Sequence, residues 1–129
     1  MPKSKILLIE DEEDTVSLYK TALSEAGFTV VAINSAEDAL SRAEKEKPDL
    51  ILLDLMLPGK SGFEVLESLK KNRHTKDTPV LALTNLAEEV GFERAVAKGA
   101  AGYIVKAERT PRQVCLLLRQ VLEEHRVSQ

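Results

Sequence analysis

What this chain has little of narrows its identity first. Its single cysteine, Cys115, can form no disulfide within the chain and has no Cys or His at metal-ligand spacing, which suits a reducing compartment. On an apolar helical stripe such a cysteine reads as a small hydrophobe. Aromatic residues make up only 4% of the chain, so the core must be packed with aliphatic side chains. Near the amino terminus, "MPKSKILLIEDEEDT" offers four consecutive apolar residues before acids begin. That is too few for a signal peptide or a membrane span, and a cytoplasmic protein with no membrane contact is expected. A strong charge of either sign is also missing. The net charge of −3 gives no field that would gather nucleic acid, so direct nucleic-acid binding is not expected. There is no Walker A loop, no GxGxxG and no Ser/His/Asp set, which removes the commonest nucleotide-binding and hydrolase readings.

What is present is the composition of a soluble domain. The 129 residues are 43% hydrophobic and 30% charged, enough to bury a core without disulfides or a structural metal. We expect one domain over residues 1–129, with no linker, repeat or second unit. Five short apolar runs read as buried strands: "KILLI" at 5–9, "TVVAI" at 29–33, "LILL" at 50–53, "VLALT" at 80–84 and "GYIV" at 102–105. Amphipathic stretches alternate with them. The first, about residues 13–26, sets Val16, Tyr19, Leu23 and Ala26 on one side and stops at Gly27. The second carries Ala36, Ala39, Leu40 and Ala43 behind Ser35 as N-cap. A third opens near Gly62, and a fourth, weakened by Gly91, ends at Gly99. The fifth has Thr110 as cap, Pro111 at its first position and Val114, Leu117, Leu118, Val121 and Leu122 along one stripe. Strict alternation of strand and helix, with strands apolar throughout, predicts a doubly wound α/β domain, (βα)5, around a five-stranded parallel sheet.

In such sheets ligands bind beyond the carboxyl ends of the strands. Glu10 and Asp11 follow the first strand, Asp54 ends the third, Thr84 ends the fourth and Lys106 follows the fifth, while the second offers only Asn34. That asymmetry suits a second strand at the edge and an order of 2-1-3-4-5, with the reversal beside Asp11 and Asp54. Asp54 closes an otherwise apolar strand, and an ionised carboxylate is costly there unless it is paired, hydrogen-bonded or metal-bound. Three converging carboxylates raise one another's pKa unless a cation offsets them. Mg²⁺ does so with oxygen ligands and retains room for a phosphoryl oxygen. Lys106 and Thr84 add a positive charge and a hydroxyl donor for other phosphoryl oxygens. The rim therefore reads as a phosphoryl-transfer site with Asp54 as nucleophile.

The segments "ILLIEDEEDT", "PDLILLDLMLPGKSGFEVL", "PVLALTN" and "GAAGYIVKA" together resemble the receiver domain of two-component response regulators over nearly the whole chain. The resemblance implies a CheY-like, flavodoxin-like fold. It implies a phosphoryl group taken on Asp54 from a histidine kinase or a phosphotransfer protein, with Glu10 and Asp11 serving Mg²⁺, Asp11 ranked first as direct ligand. The backbone carbonyl of Met56 is implied as a further ligand. Lys106 would bind the phosphoryl group, Thr84 would move toward it and Tyr103 would rotate inward. The surface of the fourth helix, fifth strand and fifth helix would then signal to a downstream protein or form a phosphorylation-dependent homodimer. A domain of this kind catalyses its own phosphorylation and dephosphorylation and turns over no separate metabolite.

The sequence departs from the family pattern in three respects. Ala107 stands where a proline usually follows the lysine, which leaves the geometry of that peptide open. Asn85 stands where a small residue usually follows the threonine, and is expected to narrow access for phosphodonors. Met56 and Leu86 are apolar where polar groups could orient an attacking water, so slow self-dephosphorylation is expected. The rival reading is a phosphate-independent pseudo-receiver with the same fold. A Mg²⁺-dependent phosphatase or nuclease is disfavoured because "DLM" at Asp54 lacks the second acid of a DxD pair. Whether the chain works alone or as part of a longer regulator stays open.

Overall fold

The computed structural model describes residues 3–85 and 89–127, without the side chains of residues 89 and 90. Five strands, β1 (Lys5–Ile9), β2 (Thr29–Ile33), β3 (Leu50–Leu53), β4 (Val80–Thr84) and β5 (Gly102–Val105), alternate with five helices. The helices are α1 (Glu13–Glu25), α2 (Ala39–Glu46), α3 (Gly62–Lys71), α4 (Glu89–Ala97) and α5 (Pro111–Val127), and a 3₁₀ turn spans Lys106–Glu108. All strand pairs are parallel, in the order β2-β1-β3-β4-β5.

The two-residue period of the strands divides the core into two layers. Leu7, Ile9, Ile51, Leu53, Val80 and Ala82 face α2, α3 and α4, meeting Ala39, Ala43, Val65, Leu66, Leu69 and Ala95. Ile6, Leu8, Leu50, Leu52, Leu81, Leu83 and Ile104 face α1 and α5, meeting Tyr19, Leu23, Val114, Cys115 and Leu118. Both faces are covered, which explains why β1, β3 and β4 are apolar without alternation. Cys115 is buried in the second layer as the small hydrophobe its position suggested.

Three helix ends show how local chemistry sets, or fails to set, a boundary. The N–H of Thr110 donates to Gln113 Oε1 at 2.8 Å and that of Gln113 to Thr110 Oγ1 at 3.2 Å, a reciprocal capping box ahead of Pro111. Gly27 ends α1 with φ +97°. Ser35 does not cap α2: its Oγ accepts the N–H of Glu37 at 3.2 Å, forming a local turn, and α2 begins only at Ala39 after Asp38. A serine hydroxyl satisfies the nearest free amide, and here that amide lies in the turn leading to the helix. Gly91 lies buried within α4.

α3 and α4 are joined by charge. Glu67 accepts from Lys71 Nζ at 2.6 Å and also from Lys98, while the guanidinium of Arg94 lies 4.1 Å from the ring centre of Phe63. Hydrogen bonds from Lys71 and Lys98 hold the Glu67 carboxyl down at about 2, against an ordinary 4.5. A depressed folded-state pKa stabilises the fold above the ordinary value, and that stability is lost as pH falls through 4.5 toward 2. Glu67→Gln is therefore expected to lower the melting temperature modestly at pH 7, with the gap to the parent closing as pH approaches 2. Melting curves across that range check it, and a gap that persists at the acid end would refute it.

Candidate functional site

The parallel ladder delivers polar residues to one rim, and β1 and β3 each keep pairing for one residue past their apolar runs. The N–H of Glu10 donates to the carbonyl of Ile33 and that of Asp54 to the carbonyl of Ile9, both at 3.0 Å. Two acids are thus pinned by backbone bonds on adjacent strands, at the point where the strand order reverses. Glu10 is 0% and Asp54 4% exposed, while Asp11, one residue further along the chain, is not buried.

Each buried carboxylate has named partners. Lys106, carried in by the 3₁₀ turn after β5, donates to Glu10 Oε2 at 2.7 Å and to Asp54 Oδ2 at 3.2 Å. The N–H of Met56 donates to Asp54 Oδ1 at 2.9 Å, and the N–H of Glu12 to Glu10 Oε1 at 3.2 Å. Burial pushes the Glu10 carboxyl up to about 7; the Lys106 hydrogen bond opposes this and the neighbouring Asp54 reinforces it. Burial alone would lower the Lys106 ammonium, but the hydrogen bond to Glu10 and the charge of Asp54 overcome it and hold the group above its ordinary value.

Glu10, Asp11 and Asp54 each offer an oxygen, and these oxygens lie within 4.8 Å of one another. Three carboxylates against one ammonium leave excess negative charge in a partly desolvated place, which a hard divalent cation with oxygen ligands relieves. The donor set therefore fits Mg²⁺ and holds no sulfur or imidazole that would favour a softer metal.

The remaining predicted residues fall around this centre. Thr84 is fully buried at the end of β4, paired in register with Val105. Asn85 follows it at the surface. Met56 stands beside Asp54 with its side chain 58% exposed. The Lys106–Ala107 peptide is trans, with Ala107 inside the 3₁₀ turn. Tyr103 is half-buried and edge-on to Phe92 of α4, ring centres 5.8 Å apart. Leu86 lies outside the described residues.

Sequence reasoning passed over Gly62 except as a helix start. A Cβ at this position would lie 2.3 Å from Leu55 Cα and 2.7 Å from the carbonyl oxygen of Asp54. The only trace in the sequence is a glycine directly behind Ser61, which caps α3 by accepting the N–H of Phe63 at 3.2 Å; the cap itself does not call for a glycine.

Comparison with known proteins agrees with this geometry. The family model described as response regulator receiver domain matches residues 6–119. The alkaline phosphatase synthesis transcriptional regulatory protein PhoP of Bacillus subtilis is 36% identical over 124 residues, covering 96% of this chain and 50% of PhoP. The polar-differentiation response regulator DivK of Brucella anthropi is 35% identical over 112 residues, covering 87% of this chain and 90% of DivK. A CheY-like response regulator receiver domain protein from Methanospirillum hungatei superposes with a TM-score of 0.91 at 26% identity, covering 99% of this chain and 100% of its own. The chain spans about half the length of the transcriptional regulators it matches. Among the described residues, no helix is long and apolar enough to cross a membrane.

Proposed function

The chain belongs to the response regulator receiver family, and from that premise we propose that it is a phosphorylation-controlled switch whose acceptor is Asp54. The observation that carries the reading is the cluster itself: Glu10, Asp11 and Asp54 within 4.8 Å of one another, with Lys106 bonded to both buried members.

In this reading a histidine kinase or phosphotransfer protein presents a phosphoryl group. A carboxylate oxygen of Asp54 forms a bond to phosphorus as the bond to the donor's nitrogen breaks, and the electron pair leaves with the donor. The N–H of Met56 holds Oδ1, so the carboxylate is presented in one orientation. Lys106 leaves its carboxylate contacts for the incoming phosphoryl oxygens, and Thr84 supplies a hydroxyl to another. Bound Mg²⁺, which Glu10, Asp11, Asp54 and the Met56 carbonyl would hold, would neutralise charge on the transferring group. Thr84 pairs with Val105 across the ladder and Tyr103 lies two residues before it on β5, against Phe92. A shift of Thr84 thereby reaches the α4, β5 and α5 surface, the face offered to a downstream protein or a second copy.

Incubation with Mg²⁺ and acetyl phosphate, followed by intact mass measurement, tests the function. A gain of one phosphoryl group in the presence of Mg²⁺ and none without it is expected. No gain, even with a competent kinase, would favour the phosphate-independent pseudo-receiver. The apolar Met56 side chain beside Asp54 offers no group to orient water, so the phosphorylated form is expected to decay over minutes or longer after the donor is removed. Decay within seconds would contradict that expectation.

A further inference from the structure

We infer that Gly62 is a positioning residue for phosphoryl acceptance, because the absence of a side chain seats the Asp54–Leu55 backbone directly on the first turn of α3. The inference rests on the reading of Asp54 as acceptor.

The contact is between backbones. A Cβ on Gly62 would meet Leu55 Cα at 2.3 Å, the Asp54 carbonyl oxygen at 2.7 Å and the Leu55 carbonyl carbon at 2.8 Å. No rotamer change relieves such overlaps, since none of the three atoms belongs to a side chain. The requirement is one of space, because Gly62 is not among the residues with positive φ. The N–H of Gly62 donates to the Leu55 carbonyl at 3.2 Å, tying the two segments at the point of closest approach. Leu55 is itself buried, 4% exposed, in the same core layer as Phe63, Val65 and Leu66 of α3.

That segment carries the reacting group. Asp54 is its first residue and Met56, whose N–H holds Asp54 Oδ1 at 2.9 Å, its third. Pushing Leu55 off α3 rotates the peptide that joins it to Met56, and with it the donor that aims the carboxylate. Any side chain at position 62 therefore acts on the acceptor through the backbone, though it stands eight residues away in sequence. A displacement near 1 Å in such a positioned group costs about 10²-fold in rate, and disturbed support of a metal ligand costs about 10- to 100-fold in metal affinity.

The test compares Gly62→Ala with Leu69→Ala, which truncates a fully buried side chain at the far end of the same helix. Both variants and the parent are titrated with Mg²⁺ by calorimetry, and initial phosphorylation rates from acetyl phosphate are read by mass. Gly62→Ala is expected to weaken Mg²⁺ binding about tenfold and to slow phosphorylation by at least as much. Leu69→Ala is expected to melt earlier than the parent while keeping both constants within about twofold, as a distant and independent site should. Equal constants in the two variants would overturn the inference. If Gly62→Ala does not fold, Leu55→Ala, which loosens the same segment by truncating its buried side chain, is measured in its place. A shift in its constants upholds the positioning role and none overturns it. A parent protein that binds Mg²⁺ but accepts no phosphoryl group would defeat the reading of Asp54, while the Mg²⁺ titrations would still decide Gly62.

Discussion

Asp54→Asn is expected to abolish phosphoryl uptake, with no mass gain under conditions where the parent gains one phosphoryl group. The amide has no nucleophilic oxygen of carboxylate strength, whereas its carbonyl oxygen can still accept the Met56 N–H that now holds Oδ1 at 2.9 Å. The Met56 contact is kept, but Oδ2, which now accepts from Lys106 at 3.2 Å, becomes an amide NH2 that cannot accept that bond, so the nucleophile and one Lys106 contact are lost together. A second consequence identifies the mechanism. Asp54 contributes to the upward shift of Glu10, after burial itself, through a hydrogen bond and its charge. Removing that charge should bring the Glu10 carboxyl down from about 7 toward its ordinary range, a change that carboxyl carbon NMR titration would follow. Full uptake by the variant would place the acceptor elsewhere, and an unmoved Glu10 would mean that the two acids do not interact.

Lys106→Met should have the largest effect on stability. The ammonium reaches Glu10 at 2.7 Å and Asp54 at 3.2 Å, and its side chain is only 11% exposed. Removing one partner from a buried ion pair costs about 3–5 kcal/mol when the remaining charge has no other outlet. Here Glu10 has one, since it can take up a proton. Its folded pKa of about 7 lies above the unfolded 4.5, so between these values the native chain binds more protons than the unfolded chain. Stability from this group is complete below 4.5 and declines as pH rises through 7. Without Lys106, which draws Glu10 downward, the native value climbs further and the decline extends to higher pH. The variant should therefore approach the parent in acid, fall away from it above neutrality, and recover in part when Mg²⁺ is added. Phosphorylation should slow about 10- to 100-fold through loss of a charge-assisted hydrogen bond. Denaturant unfolding between pH 5 and 9 reads the first effect; a constant gap across that range would contradict it.

These predictions draw on features that differ in how plainly the sequence displayed them. The strands were legible because a sheet covered on both faces demands short unbroken apolar runs, and "LILL" or "VLALT" allows few other readings. Asp54, Thr84 and Lys106 were legible as a set because each stands where a strand or its extension ends, and parallel order brings such ends together. The start of α2 was not, since Ser35 accepts the N–H of Glu37 in a turn ahead of the helix, and a serine in the sequence does not tell a turn from a cap. Nor was the difference between Glu10 and Asp11. Adjacent acids look alike, but Glu10 continues the ladder of β1 and is fully buried, and that burial drives its carboxyl up, while Asp11 is not buried. Gly62 was hidden for another reason. Its role depends on how closely α3 crosses Leu55, a distance between segments that no local pattern encodes.

The most direct test of the central claim is to locate the phosphoryl group. The phosphorylated protein is treated with borohydride, which reduces an acyl phosphate at an aspartate to homoserine, and peptides are then sequenced by mass spectrometry. The account predicts homoserine at position 54 alone, and only in samples given both phosphodonor and Mg²⁺. Homoserine at position 11, or a phosphoryl group stable to borohydride on a serine, threonine or histidine, would contradict it.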